Sequence, residues 1–266
     1  MEEKPVPQLI RRSEDRAADQ GRPFKIIPNI APYAHGSVLV STGNTQVICA
    51  VCLEETVPRW MKEQNVPGGW ITAEYSMLPY STLTRRPRDI SKGKLDGRGV
   101  EIQRLIGRSL RAAIDLDLLG QRTLWVDCDV LQADGGTRTA AISGASVAAA
   151  LAFAKLISSG TLQKWPLRCL VAAVSVGIVD ANIFVDLDYD EDKETTVDLN
   201  LVMNHRGEFI EIQGTGEEAT FSGTELSGML AAGQRAIAKI IDHQKRILLE
   251  LTPQIPEIDL YRTNTE

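Results

Sequence analysis

Apolar and polar residues alternate in several short segments of the chain, and turn-forming residues bound each segment. This two-residue period is typical of half-buried β-strands. The predicted strands cover residues 37–40, 46–53, 70–77, 123–131, 170–179, 183–188, 196–203 and 209–213. The short polar or glycine-containing stretches 41–45 and 180–182 predict two β-hairpins.

Three other segments have apolar residues at helical spacing. Residues 100–119 form a clear amphipathic pattern that ends at Gly120. Residues 137–157 are rich in Ala, Ser and Gly, which suits a closely packed core helix, and residues 225–251 predict a long closing helix. Strands and helices therefore mix along the chain, and we predict an α+β fold in which mixed β-sheets pack against α-helices.

The two ends differ from this pattern. Residues 1–20 are polar and predict a partly mobile lead-in, and residues 252–266 carry two prolines and predict a tail. The length of 266 residues allows one large domain or two small ones. We predict one main domain over residues 12–250, an N-terminal extension over 1–11 and a C-terminal tail over 251–266.

The distribution of charge changes this picture more than its total. The chain is 43% hydrophobic and 24% charged, with a formal net charge of −6. Residues 85–111 hold nine Lys or Arg and three acids, a local charge of +6, which leaves −12 for the remainder. One basic stripe on an acidic protein favours a specific anionic ligand. The arginines at 104, 108 and 111 fall on one helix face, which is either solvated or contacts phosphates or another subunit.

No apolar run approaches the roughly 18 residues of a membrane span, and the N-terminus has no signal-peptide pattern. The four cysteines lie in apolar stretches, which predicts buried, reduced thiols and a cytoplasmic protein. Cys49 and Cys52 would face opposite sides of a strand, so a CxxC metal or redox site is the less favoured interpretation.

Two segments could carry chemistry. In Asp134-Gly135-Gly136-Thr137-Arg138, two glycines follow a strand and a helix begins, so backbone N–H groups could bind an anion. Thr137 could cap that helix and Arg138 could bind phosphate with two N–H groups. An ordinary capped helix start is the alternative.

The second segment runs from Asp186 to Asp192. On an extended strand its four alternating aspartates would project from one face and repel each other. Either a divalent cation or an arginine cluster would offset that repulsion, and Asp198 could join from the next strand. The alternative is a solvated acidic turn. No histidine metal spacing and no GxSxG motif occur, so phosphoryl transfer fits the available groups better than a Ser-His-Asp hydrolase.

Longer motifs identify a resemblance. They include 35–40 (HGSVLV), 69–75 (GWITAEY), 99–108 (GVEIQRLIGR), 127–139 (DCDVLQADGGTRT), 171–177 (VAAVSVG) and 211–215 (EIQGT). Over residues 12–247 the chain resembles the ribonuclease PH family of phosphorolytic 3′-to-5′ exoribonucleases, which implies a ribosomal-protein-like βαβ core. It also implies trimming of tRNA precursors with inorganic phosphate, release of nucleoside diphosphates, and assembly as a homohexamer, a trimer of dimers.

The resemblance also assigns residues. It implies that Arg98, Gly136, Thr137 and Arg138 bind inorganic phosphate and that Asp192 and Asp198 hold Mg²⁺ or Mn²⁺, with Asp186 as a supporting residue. Arginines in the segment before the first long helix would guide RNA. These RNA-guiding candidates are Arg59, Arg85 and Arg88. Tyr80 replaces a family arginine, and Arg86 is an added neighbour.

Two other functions within the resemblance remain open at this point. One is a catalytically silent RNA-binding ring subunit of exosome type, which typically loses the phosphate or metal residues; this chain keeps them. The other is a polynucleotide phosphorylase-like substrate range, which the absence of appended RNA-binding domains disfavours.

Overall fold

Two β-sheets frame the protein in the computed structural model, which describes residues 12–93, 96–217 and 219–253. The first sheet has five strands in the order β1-β2-β3-β5-β4, and only β4 and β5 pair in parallel. Its strands are β1 (Phe24–Pro28), β2 (Gly36–Thr42), β3 (Thr45–Glu54), β4 (Trp70–Met77) and β5 (Thr123–Gln132). The second sheet is antiparallel, in the order β7-β6-β8-β9. Its strands are β6 (Val171–Val179), β7 (Asn182–Val185), β8 (Val197–Asn204) and β9 (Phe209–Gly216).

Helices cover and join the sheets. The described helices are α1 (Arg59–Glu63), α2 (Asp89–Lys92), α3 (Gly97–Ala113), α4 (Leu116–Leu119), α5 (Thr137–Ser158), α6 (Tyr189–Lys193) and α7 (Gly223–Leu251). A 3₁₀ turn, Ser13–Asp15, precedes them. Helix α3 packs on β4, and α7 packs on β6.

Helix α5 is the centre of the core. It packs against β2 and β3 of the first sheet and β6 of the second, so one hydrophobic core includes residues of both sheets. The small residues of α5 let β2 and β3 lie close to the helix backbone. A Cβ on Gly144 would lie only 2.7 Å from the Cys49 sulfur and from a Val40 methyl group, which is too close for a side chain. Within the described chain it is the one helix long and apolar enough to span a membrane, and 89% of its apolar window is buried inside the protein, as in a core helix.

The predicted α+β fold is confirmed, and most predicted strands and helices lie within a few residues of their observed bounds. The helix predicted over 100–119 is broken, because Ile114 leaves helical geometry to pair with Leu167 and Asp115 caps α4. Strand β1 was not predicted. It is short and ends in proline, and pairing with β2 is what makes it a strand.

The structure describes part of the segment for which the sequence predicts a partly mobile lead-in, residues 12–20. Residues 12–20 lie against the second half of the chain, and the side chains of Arg12 and Arg16 are buried. Residues 1–11 and most of the predicted tail, 254–266, lie outside the described residues.

Candidate active site

One cleft of about 990 Å³ collects most of the predicted site residues. The end of β5 and the start of α5, the helix α6, the strand β8 and the start of α3 meet around it. Arg98, Arg138, Asp192 and Asp198 all line it, together with Gly135, Gly136 and Thr137. The fold therefore brings together residues that are up to 100 positions apart in the sequence.

The glycine turn, residues 134–137, is shaped by two consecutive left-handed residues. Gly135 and Gly136 have φ angles of +72° and +64°, a conformation in which a side chain is strained. Gly136 is the N-cap of α5, and no side chain caps the helix, so its first backbone N–H groups remain available to an anion. A Cβ on Gly135 would overlap the carbonyl oxygen of Leu187, so this turn also needs glycine for space.

Thr137 does not cap the helix as predicted. It is the first helical residue, and its hydroxyl forms a 2.7 Å hydrogen bond with the Tyr75 hydroxyl across the cleft wall. This bond fixes the Thr137 side chain and leaves the anion-binding role of the turn to backbone N–H groups.

Two arginines face the glycine turn. The Arg138 Nη1 donates to Gln213 Oε1 at 3.2 Å and lies 3.5 Å from Glu101 Oε2. Arg98 is the second residue of α3, and within the described residues its side chain has no hydrogen bond or ion pair. A guanidinium that is not neutralised by the protein itself is suited to binding a phosphate.

Asp192 and Asp198 bring negative charge to the same cleft, beside the two arginines. Burial, together with the neighbouring Asp192, raises the pKa of Asp198 to about 6. Burial also raises the pKa of Asp192, while Arg98 and Arg138 act to lower it. Asn200 donates to Asp198 Oδ2 at 3.1 Å, but Asp198 Oδ1 is buried and has no hydrogen-bond partner among the described residues.

This arrangement fits a cation. A buried carboxylate oxygen without a donor costs free energy unless a positive charge compensates it. Within the described residues no cluster of three or more His, Cys, Asp or Glu forms a closed metal site. Two carboxylates facing an open cleft suit a hard divalent ion such as Mg²⁺ or Mn²⁺, which retains water ligands.

The structure does not bring Asp186 to the other two aspartates. The acidic segment, residues 186–192, is not an extended strand: Asp186 adopts a left-handed turn with φ of +57°, and Asp188 caps the short helix α6. Both carboxylate oxygens of Asp186 bind Arg22, at 2.6 and 3.0 Å, so Asp186 is committed to an ion pair. An arginine cluster, the second explanation offered for this segment, offsets its charge.

The predicted RNA-guiding arginines lie outside the lining of the cleft. Arg59 pairs with Glu63 on α1 and its side chain is 91% exposed, and Arg85 and Arg88 are exposed in the connection before α2. Arg86, the added neighbour that was assigned no role, lines the cleft instead. On α3, Arg108 forms a 2.6 Å ion pair with Glu211, which favours an intramolecular role for that residue of the arginine face.

Sequence reasoning missed Asn200 and Gln213, which also line the cleft. They pair directly across β8 and β9, and Gln213 receives the Arg138 hydrogen bond. A signal was present in the sequence: residues 198 and 200 share one strand face by their two-residue spacing. The partner across the sheet could not be found without the strand register.

Comparison with known proteins gives a consistent result. Residues 20–156 match a model described as 3′ exoribonuclease family, domain 1, and residues 169–236 match the same family's domain 2. The chain is 51% identical over 239 residues to ribonuclease PH of Syntrophomonas wolfei, covering 90% of this chain and 99% of that protein. It is 49% identical over 245 residues to ribonuclease PH of Bacillus subtilis, covering 92% and 99%.

Solved structures share the fold. Rice Rrp46 superposes with a TM-score of 0.72 at 22% identity, covering 89% of this chain and 99% of that one. A chain of the Archaeoglobus fulgidus exosome, solved with RNA bound to the active site, superposes with a TM-score of 0.74 at 23% identity, covering 88% and 92%.

Proposed function

The chain belongs to the 3′ exoribonuclease family and is a phosphorolytic 3′-to-5′ exoribonuclease, and we propose that it trims the 3′ ends of tRNA precursors. The observation that supports this proposal is the cleft, where two arginines and a helix N-terminus lie beside two aspartates for which the described residues provide no ion pair. Such a site holds two anions against each other, which is the central requirement of phosphorolysis.

Repulsion is the main obstacle in this reaction, because inorganic phosphate must attack a phosphodiester that is itself an anion. In our proposal Arg98 and Arg138 hold the attacking phosphate, with Gly136 and Thr137 contributing backbone N–H groups. Hydrogen bonds to charged groups contribute about 1.5–3 kcal/mol each, and positioning plus charge stabilisation account for most of the catalysis of phosphoryl transfer.

We place Mg²⁺ or Mn²⁺ on Asp192 and Asp198. When bound there, the ion would neutralise charge at the scissile phosphate and at the leaving 3′-oxygen. Asn200 orients Asp198 through its 3.1 Å hydrogen bond, and Gln213 orients Arg138. The attacking phosphate is already ionised at neutral pH, so no side chain has to act as a general base. The product is a nucleoside diphosphate, and the reverse reaction adds a nucleotide.

The RNA path in our proposal reaches the cleft along the connection between β4 and α2. Arg86 and the residues Thr82, Leu83 and Thr84 of this connection line the cleft, and Arg85 and Arg88 flank them. Arg59 would contact RNA farther from the reacting phosphate. Ribosomal RNA precursors are further candidate substrates with the same 3′-end chemistry.

We also propose a homohexamer, a trimer of dimers, in the cytoplasm. The Tyr33 side chain, which is fully exposed outside the cleft, would be covered by a neighbouring subunit. Light scattering of the purified protein should then give about 175 kDa, six times the 29.2 kDa chain. All four cysteines are free, and the Cys128 thiol donates a 3.8 Å hydrogen bond to the Cys49 sulfur without a disulfide, which supports a reducing compartment.

A catalytically silent ring subunit is less favoured. The relatives near 50% identity carry the name ribonuclease PH, whereas the likeness to the archaeal exosome chain is at 23% identity and concerns the fold alone. The cleft also keeps both arginines and both aspartates.

The test is trimming of a tRNA with extra 3′ nucleotides, with Mg²⁺, in the presence and absence of inorganic phosphate. We expect nucleoside diphosphates and a strict phosphate requirement. Release of nucleoside monophosphates, or equal trimming without phosphate, would refute the proposal. Absence of any trimming by folded protein that still binds RNA would favour the silent subunit.

A further inference from the structure

We infer that Arg22 is a positioning residue that fixes the glycine turn relative to the metal-binding helix α6. The inference rests on the proposed function, because it concerns how the two halves of that site are held at a working distance. Arg22 lies outside the lining of the cleft and is buried, with 6% of its surface exposed. It precedes β1, in a part of the chain to which the sequence pattern assigned no strand or helix.

One side of Arg22 holds the acidic segment. Its Nη2 and Nε donate to the two carboxylate oxygens of Asp186 at 2.6 and 3.0 Å, and its backbone N–H donates to the same carboxylate at 2.7 Å. Asp186 is fixed in turn by its own N–H, which donates to the Ser175 carbonyl at 2.7 Å. Asp188 then caps α6, whose fourth residue is Asp192. Arg22 thereby fixes the turn from which the metal-binding helix starts.

The other side of Arg22 holds the glycine turn. Its Nη1 donates to the carbonyl of Asp134, and its Nη2 lies 3.5 Å from the carbonyl of Gly135. A Cβ on Gly136 would lie 3.1 Å from the same Nη2, so the guanidinium packs directly beneath the left-handed turn. One planar group thus bridges the backbone of the turn and the carboxylate of the acidic segment, a geometry that a lysine ammonium cannot reproduce.

Charge balance explains why Asp192 remains available. Arg12 and Arg16 are also buried, and both bind the Glu191 carboxylate, Arg12 at 2.8 and 2.9 Å. Arg16 lies 3.5 Å from Asp188 as well. Three buried arginines therefore neutralise the three buried acids of the segment, 186, 188 and 191, and no arginine of this group forms an ion pair with Asp192. The network neutralises the buried acids of the segment and leaves the Asp192 carboxylate free for a cation.

The test compares Arg22→Met and Arg22→Lys with the unmodified protein. A misplacement on the order of 1 Å at a reacting group can cost about 100-fold in rate. We expect the KM for phosphate to rise about tenfold or more in both variants, while the KM for RNA stays within about twofold. A purely structural role would lower the amount of folded enzyme, and hence kcat, with every KM unchanged. Phosphate protection against thermal unfolding should weaken in parallel, because it reports phosphate affinity without turnover.

Arg12→Met is the matched control. Arg12 is as buried as Arg22, and it also bonds the chain before β1 to the acidic segment. Unlike Arg22, it makes no hydrogen bond to residues 134–136. It should reduce thermal stability and leave the KM for phosphate within about twofold. An equal rise of that KM in Arg12→Met, or a folded Arg22→Lys with unchanged phosphate KM, would overturn the inference.

Two further measurements cover a variant that does not fold and a failure of the proposed function. If Arg22→Met does not fold, Arg22→Lys and the near-isosteric Asp186→Asn carry the comparison, and unchanged phosphate affinity in both contradicts the role. If the unmodified protein trims RNA without phosphate, the proposed function fails, and the phosphate-dependent thermal shift still decides whether Arg22 sets phosphate affinity.

Discussion

Replacing Asp198 by Asn should stabilise the metal-free protein at neutral pH, although it should destroy metal-dependent activity. The folded protein raises the pKa of Asp198 from 3.8 to about 6, because the carboxyl is buried and faces Asp192. The folded state therefore binds the Asp198 proton more tightly than the unfolded state does. Ionisation at neutral pH then costs folding free energy, and this cost disappears as the pH falls below about 4.

The magnitude follows from the two pKa values. A pKa of about 6 in place of 3.8 means that ionised Asp198 lowers the free energy of unfolding by at most about 3 kcal/mol at pH 7.5. The new amide N–H group would replace the buried Oδ1, which has no partner, and leaving it unbonded costs about 1–2 kcal/mol. The net gain is about 1–2 kcal/mol, or a rise in Tm of about 4 °C. Near pH 5 the ionisation cost falls to about half, so the net effect should approach zero there.

Thermal unfolding followed by circular dichroism measures this effect, at fixed protein concentration and with a chelator present. Asp190→Asn is the control, because Asp190 is an exposed aspartate on helix α6, away from Asp198 on β8, and its loss should change the Tm by less than about 2 °C. Added Mg²⁺ or Mn²⁺ should raise the Tm of the unmodified protein and not that of Asp198→Asn. A lower Tm for Asp198→Asn at pH 7.5 in chelator would show that the buried carboxylate is not a source of destabilisation.

Three further predictions concern the cleft. Gly135→Ala should cost more than about 3 kcal/mol of stability and abolish phosphate protection, because its Cβ would overlap the Leu187 carbonyl. The control Gly160→Ala has a similar φ but open space around the new Cβ, and it should cost about 1 kcal/mol. Equal losses of stability in the two variants would contradict the steric argument. Arg98→Ala should abolish phosphate-dependent trimming while tRNA binding in a filter assay largely survives, and complete loss of binding in folded protein would contradict its phosphate role. Arg86→Ala should raise the KM for RNA about three- to tenfold with the phosphate KM unchanged, and the reverse pattern would remove Arg86 from the RNA path.

The secondary structure was largely predictable because its signals are local. The predicted strand 70–77 coincides with β4, and the Ala-rich and closing helices match α5 and α7 within two residues at each end. The errors lie where a distant partner decides the local conformation. Helix α3 ends at Ala113 because Ile114 pairs with Leu167, and β1 depends on its pairing with β2. Neither partner is visible in a short sequence window.

The candidate site divides in the same way. The resemblance assigned the residues at 98, 136–138, 192 and 198, and the structure places them around one cleft. The resemblance could not supply the strand register that sets Gln213 beside Asn200. It also could not supply the turn that removes Asp186 from the other two aspartates. Repulsion among the acidic residues was a sound reason to expect compensating charge, and the compensating groups for three of them are buried arginines.

The sequence by itself determined the α+β class and the central helix with its glycine turn, and its resemblance to a family predicted the roles of two arginines and two aspartates. The fold class and the turn depend on periodicity, backbone freedom and residue type, which are properties of short segments. Only the tertiary structure decided which charges meet, because Arg22 and Asp186 are 164 positions apart and pair through a fold that buries both. A buried ion pair is selected by the geometry of the whole chain, since desolvated charges are tolerated only where partners with matching hydrogen-bond geometry are already in place.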